Sequence, residues 1–284
     1  MRLSYGRRNL QNNINFYSND VILDNFGIKN NINYFVKNIN KVGKKSDGEY
    51  SSSLQSDVKS LLELRSSLPL IKIDEKYTDT LTPQLSLRIN LDEKTKYDKN
   101  DRNINVSNIF EIDRLGLGDS FEAGKSITFG LNYKRQNADN LDLFGFNIAS
   151  IMRENNIGDL NSKYDINKEN SNIFGSANFN FSEYFKIDYD FALDNNLDKL
   201  NYNSLNISII ANKLKTDFNF IEENNSFNDT NVLENTTSYQ FDDNNYLVFK
   251  TRRNRKIDLT EYYDLIYQYK NDCLTAGIKY NKTY

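Results

Sequence analysis

The sequence predicts an all-β chain, an antiparallel transmembrane β-barrel portion of outer-membrane type with about 14 to 16 strands. Three observations predict it. The hydrophobic pattern has period two rather than 3.6 through most of the chain. The 284 residues are polar, with a mean hydropathy of -0.71, yet carry 19 Tyr and 18 Phe against 2 Pro and 12 Gly. Disordered chains are poor in aromatics, so this composition asks for a fold that buries apolar side chains at alternate positions only. Finally, short turns alternate with longer polar connections, as they do where periplasmic turns face extracellular loops.

The clearest strands lie in the second half. In 184–193, Phe185, Ile187, Tyr189, Phe191 and Leu193 point one way, and Lys186, Asp188 and Asp190 the other. Upstream, Ile173, Ala177, Phe179 and Phe181 alternate with Ser176, Asn178 and Asn180, and Ser182-Glu183 is left as a two-residue hairpin turn. Ile127, Phe129, Leu131 and Tyr133 repeat the pattern. So do Leu205 to Ala211, Phe218 with Phe220, Tyr263 to Tyr269, and Leu274 to Tyr280. Short turns are expected at 182–183, 212–213, 243–245 and 271–272, and longer loops at 154–171, 194–202, 222–235 and 254–260. In the first third, short strands are expected around Val21 to Phe26 and Ile32 to Val36. Asn30-Asn31 and Asn38 to Asn40 read as loops between them, and residues 40–53 as a polar loop. Leu61 to Leu70 fits either a short helix or a buried strand.

Composition excludes several functions. Histidine is absent, which removes Ser-His-Asp triads, Cys-His dyads and most zinc sites. A single cysteine excludes an internal disulfide and any cysteine-cluster metal site, so neither cofactor nor metal is expected. The net charge of -3 offers no basic field for nucleic acid. No apolar run approaches the roughly 18 residues of a membrane helix. The N-terminal MRLSYGRRNLQNN has no signal-peptide core, so a secreted reading expects the true start upstream.

Few residues suggest a site. Pro83 fits the first residue of a strand, where no ladder donor is lost. Asp113, Arg114, Asp119 and Glu122 could form a salt-bridged turn, with Gly116 and Gly118 supplying left-handed backbone. A catalytic carboxylate pair there lacks the histidine or metal cluster that would support it, and a structural loop is the stronger reading. Arg252, Arg253, Arg255 and Lys256 read as a solvated basic loop, or as a contact for anionic head groups. Cys273 stands alone at the start of a strand, which in an oxidising compartment suggests a bridge to another chain or segment.

Two stretches resemble a known family. LPLIKIDEKYTDTLTPQLSLRIN (68–90) followed by NIFEIDRLGLGDSFEAGKSITFGLNYK (108–134) is similar to the C-terminal barrel of the LptD (Imp/OstA) lipopolysaccharide-assembly family. The shared order is a strand, a Thr-Leu-Thr-Pro turn at Pro83, a loop carrying Asp113, Arg114, Gly116, Asp119 and Glu122, and a Gly- and Tyr-bearing strand. LIYQYKNDCLTAGIKYNKTY (265–284) resembles the family's cysteine-bearing segment. The resemblance implies a non-enzymatic outer-membrane protein of Gram-negative bacteria that inserts lipopolysaccharide into the outer leaflet. It implies an LptE-like lipoprotein plug and an LptA-like periplasmic bridge as partners. On this reading residues 1–284 are a partial barrel domain. The family's N-terminal periplasmic jellyroll, its first barrel strands and its last strand are absent, and Cys273 pairs with a cysteine outside the chain. A general porin or substrate-specific channel, and a secreted β-rich adhesin, are the alternatives.

Overall fold

The computed structural model describes residues 8–22, 25–43, 53–90, 104–157, 166–224 and 229–284. Among them are sixteen strands: β1 (Arg8–Tyr17), β2 (Val21–Ile22), β3 (Lys29–Val42), β4 (Gln55–Ser67), β5 (Leu70–Ile73), β6 (Tyr77–Asn90), β7 (Gly124–Asn137), β8 (Asp142–Arg153), β9 (Ile173–Ser182), β10 (Phe185–Leu193), β11 (Leu200–Ala211), β12 (Leu214–Asn224), β13 (Asp229–Gln240), β14 (Asn245–Asn254), β15 (Leu259–Lys270) and β16 (Thr275–Thr283). They form one sheet in the order β1-β3-β4-β6-β7-β8-β9-β10-β11-β12-β13-β14-β15-β16. β2 pairs with β3 and β5 with β6, so each continues the stave that β1 and β4 respectively begin. The all-β antiparallel architecture of the sequence reading is therefore present, and its strand count holds.

The chain divides into two compact units, 1–69 with 82–130 and 150–171, and 70–81 with 131–149 and 172–284. In the first unit the register sorts side chains cleanly. Asn13 faces Lys37, Lys37 faces Lys59, Asn33 faces Glu63, and Glu63 faces Arg88. One face thus carries amides and charges. The opposite face carries Leu10, Ile14, Phe16, Ile32, Tyr34, Val58, Leu64 and Leu85, all exposed. A soluble sheet hides such a row. A membrane wall presents it to hydrocarbon.

The second unit repeats this sorting. Phe144 pairs with Phe179, Phe179 with Ile187, Ile187 with Ile207, and Ile207 with Phe218. One residue along, Gly145, Asn178, Asp188, Asn206 and Asn219 make the polar row. Because side chains alternate with period two, one correct register fixes every residue's face. Rings cluster toward one end of the apolar face. Phe144–Phe179, Phe179–Phe181 and Phe181–Phe185 have centroids 4.6, 5.9 and 5.3 Å apart, in the manner of an interfacial girdle.

Several expectations need correction. Asn30-Asn31 and Asn38 to Asn40 lie inside β3, not in loops; of the 21–26 stretch Val21–Ile22 is strand, 25–26 form a turn, and 23–24 lie outside the described residues. Ladder hydrogen bonds belong to the backbone, and the amides find side-chain partners, as Asn40 Nδ2 does on Asn38 Oδ1 at 3.0 Å. Of Leu61 to Leu70, residues 61–67 lie in β4 and Leu70 opens β5, with Leu61 and Glu63 on the polar face and Leu62 and Leu64 on the other. The loops expected at 194–202 and 254–260 shrink to 194–199 and 255–258, and of 222–235 residues 222–224 lie in β12 and 229–235 in β13, with 225–228 outside the described residues. Polar ladders extend these strands: Glu222 accepts from Asn203 Nδ2 at 3.0 Å and from Asn231 Nδ2 at 3.1 Å. Residues 44–52 of the 40–53 loop, and 158–165 of the 154–171 loop, lie outside the described residues.

Pro83 lies within β6, not at its first residue. Its carbonyl accepts from Leu68 N at 3.1 Å, where β4 has ended and β5 has not begun. In a strand the N–H and C=O of one residue point the same way. The missing donor therefore faces a break in the neighbouring stave, where a proline is tolerated.

Candidate functional site: a charged network beneath a strand-connecting insert

Between β6 and β7, residues 104–123 form no strand. They fold onto the polar face of the first unit. The local sequence dictates compact turns. The Asn105 carboxamide oxygen accepts from the backbone N–H of Ser107 and Asn108 at 2.9 and 3.2 Å, an Asx-type start to a turn. The Asp113 carboxylate accepts from Leu117 N at 2.6 Å and Gly118 N at 2.9 Å. Gly116 and Gly118 take φ of 61° and 66°, the left-handed backbone that a side chain would oppose. Ile104, Ile109, Leu115 and Phe121 are buried, and Phe121 packs with Phe35, Leu61 and Ile112.

Beneath this insert lie two carboxylate hubs. Glu63 is fully buried and accepts from Arg88 Nε at 3.2 Å, Arg65 Nη2 at 3.1 Å, Ser86 Oγ at 2.8 Å and Asn33 Nδ2 at 3.2 Å. Glu122 bridges two arginines, accepting from Arg114 Nε at 2.5 Å and Arg153 Nε at 2.6 Å. Arg114 continues to Thr128 Oγ1 at 2.7 Å and Ser126 Oγ at 2.9 Å, and so fixes the insert to β7. In the other direction the strands grip the insert's backbone. Arg88 Nη2 donates to the carbonyls of Phe110 and Glu111 at 2.8 and 2.7 Å, and Arg65 Nη2 also reaches Phe110 O. Lys37 Nζ donates to Ser120 O at 2.8 Å and lies 4.4 Å from the Phe121 ring centre.

Burial would push the Glu122 carboxyl up, but the facing Arg114 and Arg153 guanidiniums outweigh it and hold it well below the usual carboxylate range. The carboxylate is thus ionised at any physiological pH. Four guanidiniums surround two carboxylates here, so the network carries an excess of positive charge.

The structure brings Arg114 and Glu122 together and gives the other motif residues separate tasks. Asp113 caps backbone N–H groups, and Asp119 meets Lys41 at 2.9 Å rather than Arg114. No carboxylate pair is assembled in the loop among the described residues. Sequence reasoning missed Glu63, Arg65, Arg88 and Arg153. Each occupies a polar-face position that looks solvated until the insert covers it. The only signal was the insert's aperiodic apolar set, Ile104, Ile109, Leu115 and Phe121.

The basic run divides between the end of β14, which holds Arg252 and Arg253, and the turn at 255–258, where Arg255 and Lys256 are exposed. Arg252 pairs with Glu234 at 2.9 Å and Glu261 at 2.7 Å, and Arg253 with Asp258. Lys256 pairs with Asp229, and the Arg255 guanidinium lies 5.3 Å from the Phe220 ring centre. Cys273 is exposed and lies in the turn between β15 and β16, two residues before the strand. Its N–H donates to Asn271 Oδ1 at 3.0 Å.

A wall of antiparallel strands, apolar on one face and polar with a covered charge network on the other, defines an outer-membrane β-barrel type of protein. The particular family follows from the sequence profile of LPS transport system D, LptD, which matches residues 32–245. The chain belongs to the LptD family, an outer-membrane family of lipopolysaccharide transport and assembly. No curated protein matches the chain.

Proposed function

We propose that this chain is part of the wall of an outer-membrane translocon that inserts lipopolysaccharide into the outer leaflet. The family match over 32–245 carries the reading. The sorting of faces supports it: the apolar rows meet hydrocarbon, and the polar rows line a hydrated interior for sugar and phosphate groups. No bond is made or broken in this reading. The work is to hold a path for acyl chains beside a wet route for the polar part. A lipoprotein plug of LptE type and a periplasmic bridge of LptA type are the proposed partners, and nucleic acid has no role.

In the second unit Cys273 shares an end with the tight turns at 183–184, 212–213 and 241–244. In outer-membrane barrels that end is periplasmic. A disulfide to a cysteine outside this chain fits the position, since the sequence holds one cysteine.

Depletion of the protein tests the reading. Surface lipopolysaccharide should fall while permeation of small hydrophilic solutes stays unchanged. Loss of solute permeation with normal surface lipopolysaccharide would support a porin instead.

A further inference from the structure

The apolar face of the second unit carries charges where it meets the β5–β6 turn. In that hairpin Lys72 stands opposite Asp79 and Leu70 opposite Leu81. The pairing continues into the turn, where Asp74 N donates to Tyr77 O at 2.9 Å. Side chains two apart share a face, so Leu70, Lys72 and Asp74 lie with Tyr77, Asp79 and Leu81. β7 adds Tyr133 and Arg135 to the same face. The Tyr133 hydroxyl donates to Asp79 Oδ1 at 2.9 Å, and its ring centre lies 5.6 Å from that of Phe144 in the ring cluster. Toward the tight turns the face passes from leucine through rings to ions, the order of an acyl chain and its head group.

Two of these ions form a closed pair. Arg135 Nε and Nη2 donate to Asp79 Oδ1 and Oδ2 at 2.7 and 3.0 Å, and the guanidinium lies 5.4 Å from the Tyr77 ring centre. Its remaining N–H donors stay open. The other two ions stand apart. Lys72 is exposed and in no ion pair among the described residues, and Asp74 is exposed, its Oδ1 accepting from Glu75 N at 2.8 Å. Around them, Glu75 and Lys76 occupy the turn with opposite signs, and Asp139 stands in the β7–β8 turn. Lys134 and Asp142 pair with one another at 2.9 Å on the polar face. Cations therefore do not outnumber carboxylates, and a net anion is not favoured. A ligand carrying both signs is favoured, with a phosphate for Lys72 and the open side of Arg135 and an ammonium for Asp74.

We propose that this patch binds a zwitterionic phospholipid with a primary ammonium head, drawn from the membrane leaflet at the tight-turn end. Phosphate oxygens take Lys72 and Arg135, the ammonium takes Asp74, and the acyl chains run past Leu70 and Leu81. The proposal rests on the outer-membrane reading, in which tight turns are periplasmic, and concerns a lipid held on the outer wall rather than the cargo.

Native mass spectrometry of the full-length protein in detergent tests it, with phosphatidylethanolamine, phosphatidylcholine and phosphatidylglycerol of matched acyl chains as probes. Phosphatidylethanolamine should be retained about fivefold more than either of the others, the worth of one charge contact near a membrane surface. Free phosphoethanolamine at equal concentration should not displace it, because the acyl chains share in the binding. Asp74→Asn should put phosphatidylglycerol first, since Lys72 and Arg135 then face Asp79 alone on that face. Lys72→Gln should lower retention of phosphatidylethanolamine by about fivefold. Lys134→Gln, on the polar face, should leave the order and the amounts as they are. Heat-modifiable gel mobility checks that each variant stays folded. Equal retention of the three lipids, phosphatidylglycerol first in the wild type, displacement by free phosphoethanolamine, or an unchanged order in Asp74→Asn would each overturn the proposal. Surface lipopolysaccharide in cells separates the two readings. If the lipid preference is absent while depletion still lowers surface lipopolysaccharide the site fails alone, whereas normal assembly after depletion sinks the transport reading itself.

Discussion

Replacing Glu122 by Gln should loosen the insert without unfolding the sheet. Glu122 is the shared anion of Arg114 and Arg153, whose side chains are 0% and 3% exposed. Glutamine keeps the shape but presents one oxygen instead of two and turns an NH₂ group toward a guanidinium. Two buried cations then lose their counter-charge. Breaking a buried pair of this kind costs ~3–5 kcal/mol. Against that stands burial of Ile104, Ile109, Leu115 and Phe121, on the order of 1.5–3 kcal/mol each. Their sum exceeds the loss, so the insert stays docked but opens more often. At about 1.4 kcal/mol per tenfold, the open population rises by roughly two to three and a half powers of ten. Hydrogen exchange by mass spectrometry on the full-length protein in detergent reads this directly. Amides in 104–123 should exchange about 100-fold faster or more, while those of β6 and β7 keep their protection. A companion variant with Glu122, Arg114 and Arg153 all replaced by Met should recover much of the protection, because removing a whole buried network is far cheaper than removing half of it. Unchanged exchange of the insert in Glu122→Gln would refute the reasoning. So would equal acceleration in the strands, which would make the network a part of global stability rather than a latch.

Three further outcomes follow from the same geometry. The Glu122 carboxyl is lowered in the folded protein, so its contribution is full above the ordinary value of 4.5 and fades as pH falls below it. Protease cleavage within 104–123 should therefore rise at acid pH in the wild type, and rise less over the same pH change in Glu122→Gln. Ile207→Lys should destabilise the folded barrel by ~2–4 kcal/mol in urea titrations in bilayers, since Ile207 lies between Ile187 and Phe218 on the apolar face. Asn206→Lys, one residue away between Asp188 and Asn219, should cost under about 1 kcal/mol; equal costs would mean the faces are misassigned. Gly175→Ala should cost ~1–3 kcal/mol, because an added Cβ would lie 2.1 Å from Cζ of Phe191, and Phe191→Leu should relieve most of that loss in a double-mutant cycle.

The second half of the fold was legible in the sequence because its apolar and polar residues alternate without interruption. Phe185 to Leu193 pairs with Ile173 to Ser182 across the two-residue connection at 183–184, with one register shift beside the turn between Phe185 and Lys186. The first third was harder to read because its strands are built from Asn and Lys as much as from Val and Ile. Asn38 and Asn40 look like turn formers, yet each is flanked on both sides, Asn38 by Asn12 and Val58, Asn40 by Leu10 and Ser56. Neighbouring strands override local preference where the backbone is fully paired. The candidate site was half legible. The turn-forming Asp113, Gly116 and Gly118 announce themselves by type. Glu63, Arg65 and Arg88 do not, because a charged residue on the wet side of a strand has the same pattern whether water or an insert lies above it.

That ambiguity points to why the insert is held by ions as well as by apolar contacts. A wall that shows Leu and Phe to hydrocarbon can keep its sidedness only if its other face stays polar, since a second apolar face would let strands pair in a register shifted by one. An insert docked mainly on apolar contacts would need such a face. Here the apolar seat of Phe121 is made by Phe35 and Leu61, and the surrounding grip comes from Arg65, Arg88 and Arg114, which satisfy backbone carbonyls, hydroxyls and carboxylates in fixed directions. Taking these groups out of water costs several kcal/mol per ion, and their mutual pairing offsets it only while the set is complete. The insert and the strands therefore specify one another. Were the same strands to pair elsewhere, they would carry an unpaired Glu63 or Arg88, and that penalty selects the observed register.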